Sequence, residues 1–265
     1  MPAGQIEAGA VRLRYELAGP DALPVLLLHH CFGADLDYWD RHLAAFKGFR
    51  TLRFDARGHG SSALPTGPHT LAAMADDVAA LLDALNIEAV HYCGVSIGGQ
   101  VGQTFALAYP ARVRSLMLVT STCQMTPDQA AGWQVRVAAV RAGGVQAVQP
   151  ALMDRWFRPE AAGSPGYRYM DETFARFRPE SFAAMVDAMR GLDTTARLPE
   201  IKVPALVVGA RDDPGVPPAI TERMAALLPR ARLEWLDPAR HLATLEHPER
   251  FNGIAARFLA EVCDI

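Results

Sequence analysis

The stretch Ala89–Tyr109, AVHYCGVSIGGQVGQTFALAY, carries the reading on which the rest of the chain depends. Its first five residues are a short apolar run of strand character, and Ile97–Tyr109 reads as a helix. Between them Gly94-Val95-Ser96-Ile97-Gly98 matches G-x-S-x-G. A serine there must sit on a sharp turn in a strained backbone conformation. Side chains at positions 94 and 98 would collide with the neighbouring strand and helix. The turn aims the Ser96 hydroxyl at the helix N-terminus, where the Ile97 N–H can hold an oxyanion. Strand, turn and helix in that order make Ser96 a candidate nucleophile. The bland alternative is a plain Gly/Ser turn ahead of a helix.

Working outward, short apolar runs alternate with helical patterns. Val11–Leu17 alternates polar and apolar and reads as an edge strand, while Pro24–His29 is a continuous apolar run, as in a buried parallel strand. Arg50–Phe54 is a further strand, followed by the polar turn Asp55–Gly60. Leu71–Leu85 is helical, with Asp76 and Asp77 on its polar side, and Val113–Val119 is a strand. The series predicts an α/β fold: a mostly parallel twisted sheet with helices on both faces. From Gln124 to Arg197 the pattern is helical only (Ala130–Ala142, Val145–Trp156, Pro179–Met189). Alternation resumes with the strand Val203–Val208, a helix through Ile220–Leu228, the strand Ala231–Trp235 and a helix from Pro248 to Val262. The expected division is a core of residues 1–123 and 198–265 with an inserted helical cap over 124–197.

Composition narrows the function classes. The 265 residues suit one medium domain, half of them are hydrophobic, and the net charge of −3 offers no reason to expect nucleic acid. No segment approaches the roughly 18 apolar residues of a membrane span. The N-terminal residues show neither the basic nor the apolar region of a secretory signal. Four cysteines (Cys31, Cys93, Cys123, Cys263) lack CxxC spacing, so reduced thiols and cytoplasmic residence are expected. A small-molecule substrate is the expected partner.

In enzymes built on such a serine turn, an Asp or Glu and then a His follow the nucleophile along the chain. Only His241 and His247 lie beyond Ser96. His247 precedes Pro248 at the start of the last helix, where a capping or exposed role suits it, so His241 is the candidate base. The strand around Val203–Val208 runs into Arg211-Asp212-Asp213-Pro214. A carboxylate on that loop can orient an imidazole. Asp213 is favoured by its place in the bend, with Asp212 as the alternative. Asp128, Asp154, Asp171, Asp187, Asp193, Asp237 and Asp264 follow no core strand directly and are weaker candidates. The loop after Pro24–His29 reads His30-Cys31-Phe32-Gly33, and the Phe32 N–H is the candidate second oxyanion donor. Cys31 has no base to activate it and reads as a small packing residue.

With these residues in place, the chain resembles the 3-oxoadipate enol-lactonase group of the α/β-hydrolase fold superfamily from Val25 to Phe258. The matching stretches are LLHHCFGADLDYWDRHL, FRTLRFDARGHGSS, GVSIGGQVGQTFAL, RAGGVQAVQPALMDRWF, PALVVGARDDPGVPP and ARHLATLEHPERF. The turn RFDARGHGSS and the serine motif are specific only for the fold; the D-x-x-Y-W-D, RAGG…RWF and H-L-x-x-x-E-x-P-x-x-F segments narrow it. The resemblance implies opening of an enol-lactone in bacterial aromatic catabolism, without metal or cofactor. Cys31 stands where Gly, Ser or Ala is usual and Ile97 where Met is usual. Both border the acyl site and bear on the exact substrate.

The implied substrate carries a carboxylate, for which a guanidinium is the natural partner. The segment 124–197 holds nine arginines and no lysine against eight carboxylates, so charge alone decides little. Trp133 and Arg136, at i,i+3 spacing, match the family's cap helix and are the substrate-contact candidates. Trp156 reads as cap core rather than ligand wall. Rival readings keep the same three residues for a carboxylesterase, a C–C bond hydrolase or a perhydrolase. A non-catalytic ligand receptor on the same fold is the alternative of another class.

Overall fold

The computed structural model describes residues 3–263. Met1, Pro2 and Ile265 lie outside the described residues, as does the weaker acid candidate Asp264. Eight strands form one sheet: β1 (Ala3–Ala8), β2 (Val11–Ala18), β3 (Val25–His29), β4 (Arg50–Phe54), β5 (Val90–Val95), β6 (Val113–Val119), β7 (Ala205–Ala210) and β8 (Ala231–Leu236). Their order is β1-β2-β4-β3-β5-β6-β7-β8, and only the β1–β2 and β2–β4 pairs are antiparallel. This is the α/β-hydrolase arrangement. The central strands are apolar throughout because both faces are covered: Leu26, Leu27 and Leu28 of β3 are all fully buried.

Helices α1 (Leu71–Ala84) and α2 (Ile97–Ala108) pack on each other, on β1 and on β5 and β6. Four helices fall between β6 and β7: α3 (Pro127–Gly143), α4 (Gln149–Trp156), α5 (Pro165–Ala175) and α6 (Pro179–Arg190). The chain enters and leaves this segment side by side. Met125 N–H donates to the Leu192 carbonyl at 2.9 Å, and Thr194 N–H to that of Cys123 at 2.9 Å. Three more helices, α7 (Pro218–Leu227), the short α8 (Ala243–Glu246) and α9 (Pro248–Cys263), complete the chain. No helix among the described residues is long and apolar enough to cross a membrane.

Four local expectations are corrected. Val11–Leu17 is not at the sheet edge, because β1 pairs outside it. Ala3–Ala8 is exposed along most of its length and carries almost no hydrophobic pattern. Asp77 is buried rather than solvated: the Arg57 guanidinium, from the polar turn after β4, grips it at 2.5 and 2.6 Å. Val145–Trp156 is not one helix. Pro150, which has no N–H to donate, sits in the first turn of α4, and Val145–Ala147 is a separate 3-10 turn. Finally, α5 is an additional helix. It is marked in the sequence by Ser164-Pro165, where the serine hydroxyl accepts the Tyr167 N–H at 3.1 Å.

Candidate active site

β5 ends at Val95, and Ser96 turns the chain into α2 with φ 55° and ψ −116°, the left-handed region that a residue with a Cβ rarely enters. Close backbone approach forces that turn. A Cβ on Gly94 would lie 2.3 Å from the Gly98 carbonyl, and one on Gly98 would lie 2.5 Å from the His29 carbonyl oxygen of β3. The Ser96 N–H is anchored to Val119 of β6 at 2.9 Å. The serine hydroxyl is thereby held at the carboxyl end of the central strands.

Two further loops reach the same point. Ser96 Oγ lies 2.8 Å from His241 Nε2, and His241 Nδ1 lies 2.7 Å from Asp213 Oδ2. An ionised carboxylate only accepts, so Nδ1 carries the hydrogen and the Nε2 lone pair faces the serine O–H. The other Asp213 oxygen accepts the N–H groups of Gly215 at 2.7 Å and Val216 at 3.1 Å. Burial alone would push the Asp213 carboxyl up; the His241 ring and the two amides outweigh it and hold it below its ordinary value. Asp212 points elsewhere: its carboxylate is half-exposed, 4.0 Å from the Arg158 guanidinium.

The loop after β3 is rigid for a traceable reason. His30 is fully buried, its Nε2 accepts the Ala56 N–H at 3.0 Å, and its Nδ1–H therefore donates to the Cys31 carbonyl at 2.8 Å. Burial, more than anything else, keeps this imidazole neutral. The Phe32 and Ile97 N–H groups donate to no backbone or side-chain acceptor among the described residues. The Phe32 ring sits in an aromatic cluster, 5.4 Å from Trp133 and 5.0 Å from Phe182. Cys31 is buried, and burial pushes its thiol far up, which keeps it protonated. His247 Nε2 bonds the Pro238 carbonyl, away from the serine.

Ser96, Asp213 and His241 open on a cavity of about 330 Å³. Trp133 and Arg136 line it from α3, with the guanidinium 5.1 Å from the indole and Nη1 donating to the Gly132 carbonyl. Burial, and then the charge of Arg155, lower the Arg136 pKa. Trp156 both packs edge-on against Phe174 at 5.1 Å and lines the cavity, so its expected core role is only half of its placement.

Among the cavity residues that sequence reasoning missed are Arg155, Gln100 and Thr120. Arg155 of α4 lines the wall and donates to the Pro214 carbonyl at 3.1 Å. Gln100 is buried with its Oε1 unpartnered among the described residues. Its signal was available, since a polar residue one helical turn after Ser96 on an apolar helix shares the serine's side of it. Thr120 follows β6 directly, at φ 42°, with its hydroxyl also unpartnered among the described residues. Its strained backbone leaves no mark in a one-dimensional pattern. No group of three His, Cys, Asp or Glu side chains suited to a metal ion occurs among the described residues.

Comparison with known proteins accords with this geometry. Residues 24–248 match the alpha/beta hydrolase fold family. The chain is 30% identical to 3-oxoadipate enol-lactonase 2 of Acinetobacter baylyi, over 93% of this chain and 92% of that one. It is 34% identical to a putative carbamate hydrolase, RutD, of Variovorax paradoxus, over 94% and 97% of the two chains. The crystal structure of the enol-lactonase from Burkholderia xenovorans superposes with a TM-score of 0.92 at 30% identity, covering 97% of this chain and all of the other. A strand-borne serine facing a histidine and aspartate, on a sheet of this order and with relatives of this kind, identifies the chain as an enzyme of the α/β-hydrolase fold family, similar to its enol-lactonases.

Proposed function

We propose that the protein hydrolyses a small carboxylate-bearing enol-lactone through an acyl-enzyme, with 3-oxoadipate enol-lactone as substrate and 3-oxoadipate as product. The observation that carries this reading is the unbroken Ser96–His241–Asp213 hydrogen-bond chain opening on a cavity that Arg136 lines. Ser96 attacks the lactone carbonyl as His241 takes its proton, and the Asp213 carboxylate stabilises the imidazolium. The Ile97 and Phe32 N–H groups, unclaimed by protein acceptors among the described residues, hold the tetrahedral oxyanion. Ring opening expels an enolate, which His241 protonates on its way to the ketone. Water activated by His241 then cleaves the acyl-serine. An enolate leaves more readily than an alkoxide, so one histidine suffices as acid at that step.

The helical segment 124–197 acts as the cap in this reading, and Arg136 beside Trp133 takes the substrate carboxylate. Arg155 adds positive charge to the same wall. Cys31, Cys93 and Cys123 are buried free thiols. Cytoplasmic residence and a place in aromatic catabolism suit that chemistry. A second reading follows from the carbamate hydrolase relative: the same three residues would cleave a small carbamate.

The test is the fall in UV absorbance of the enol-lactone, generated in situ, with wild type and Ser96→Ala side by side. The reading expects kcat/KM of about 10⁴ M⁻¹s⁻¹ or more for the wild type and a loss of at least about 10³-fold in the variant. Turnover of a p-nitrophenyl ester that depends on Ser96, without loss of the lactone, would keep the nucleophile and overturn the substrate.

A further inference from the structure

We propose that Glu246 is a positioning residue that ties the loop of His241 to the end of α4, by accepting the backbone N–H groups of both Arg240 and Arg158. The inference rests on the reading of His241 as the base. A base on a loop must keep Nε2 within hydrogen-bond reach of Ser96, and here both neighbours of His241 are pinned to one short segment. On the N-terminal side, Arg240 N–H donates to Glu246 Oε1 at 2.7 Å, while Glu246 Oε2 accepts the Arg158 N–H at 3.1 Å. On the C-terminal side, Leu242 N–H donates directly to the Trp156 carbonyl at 2.9 Å. The Arg240 guanidinium closes the bracket on the carbonyls of Asp154 and Phe157.

The pinning segment is part of the cavity wall, for Arg155 and Trp156 line the space in front of Ser96. Contacts made by a substrate with the end of α4 are therefore carried, through these hydrogen bonds, to the backbone on either side of the base. A carboxylate suits this position because it accepts from two donors at once. A glutamine would turn an NH₂ group toward one of the two amides. Glu246 is half-buried and reaches the bracket from α8, five residues beyond His241.

The backbone allows a substitution that removes a single N–H. Arg158 has φ −70° and ψ 153°, and Phe157 before it has φ −126° and ψ 148°, values a proline and its preceding residue adopt without strain. Arg158→Pro deletes the donor, whereas Arg158→Ala keeps it and removes only the side chain, which pairs with Glu160 and Asp212.

Turnover of p-nitrophenyl acetate is measured for wild type, Glu246→Gln, Arg158→Pro and Arg158→Ala, with Ser96→Ala and His241→Ala in parallel. The downfield Nδ1 proton resonance of His241 is recorded for the first four. Glu246→Gln and Arg158→Pro are each expected to lower kcat by about 10- to 100-fold, with KM within about twofold and the His241 resonance shifted or broadened. Arg158→Ala is expected to match the wild type. Unchanged kcat and an unchanged resonance in Glu246→Gln and Arg158→Pro, with Ser96→Ala and His241→Ala inactive, would overturn the bracket and leave the nucleophile reading intact. An equal loss in Arg158→Ala and Arg158→Pro would also overturn it, since the N–H would then not be the element that matters. Full activity of His241→Ala would instead remove the reading on which the inference stands.

Discussion

The turn Gly94–Gly98 and the helices α3, α4 and α6 both face the cavity, yet they are specified by different means. In the turn three residues answer to the backbone: Gly94 to Gly98, Gly98 to His29, and Ser96 to the strained conformation that joins β5 to α2. Among the helices the site is made by side chains that converge from separate segments, with Trp133 and Arg136 on α3 and Arg155 and Trp156 on α4. Backbone sterics leave a local signature in the sequence; convergence of side chains does not.

The same methyl group, added to a glycine in each region, should have opposite effects. In Gly98→Ala the new Cβ meets the His29 and His30 carbonyl oxygens at 2.5 and 2.8 Å, and backbone must move. A loss of about 3 kcal/mol is expected from denaturant unfolding, with activity falling alongside. A midpoint equal to the wild type would refute the steric account of the turn.

A second difference is in titration, because all eight histidines lie outside segment 124–197. Burial lowers the pKa of His29 and His59 in the core, and that of His42 and His91 to about 4. In the unfolded chain these groups take up protons below about pH 6.5, and in the folded one they do not. Their stability contribution is therefore present above about pH 6.5 and lost as the pH falls toward 4. His42 alone accounts for about 2 kcal/mol at pH 5. Asp213 acts in the same direction but lower, its contribution being present above about pH 4 and lost as the pH falls through its depressed pKa. Calorimetry at pH 7 and pH 5 should show a melting temperature several degrees lower at pH 5, and equal values would contradict the buried neutral imidazoles.

Among the helices the expected effects are on binding rather than folding. Arg136→Met should raise KM for a carboxylate-bearing ester about tenfold and leave that for p-nitrophenyl acetate unchanged. An equal rise for both esters would point to lost packing on Trp133 instead of a lost charge. The smallest effect has the opposite sign to the first. A Cβ on Gly132, inside α3, finds only Arg136 Nη1 at 3.5 Å, so Gly132→Ala should stabilise the protein by about 0.5 to 1 kcal/mol.

How much was legible follows the same division. The strands β2–β8 and the helices α1, α2 and α9 appear in the sequence because a two-sided sheet needs continuous apolar runs and its covering helices need one apolar face. The edge strand β1 is hidden, since solvent on its outer side removes that demand. Asp77 looks solvated because its partner Arg57 is twenty residues away, on a turn that only folding brings beneath α1.

The α/β-hydrolase fold, Ser96 and His241 are legible in the linear pattern of residues, because a serine turn between a strand and a helix is encoded within about ten residues and only two histidines follow it. The other assignments depend on packing between distant segments. Asp212 and Asp213 are the same residue type at adjacent positions, and only the path of the loop after β7 turns one carboxylate to His241 and the other toward Arg158 and solvent. The cavity wall, and the Glu246 bracket behind it, join segments nearly ninety residues apart. Such contacts depend on how α4 packs against the loops of the core, and no local periodicity records that packing.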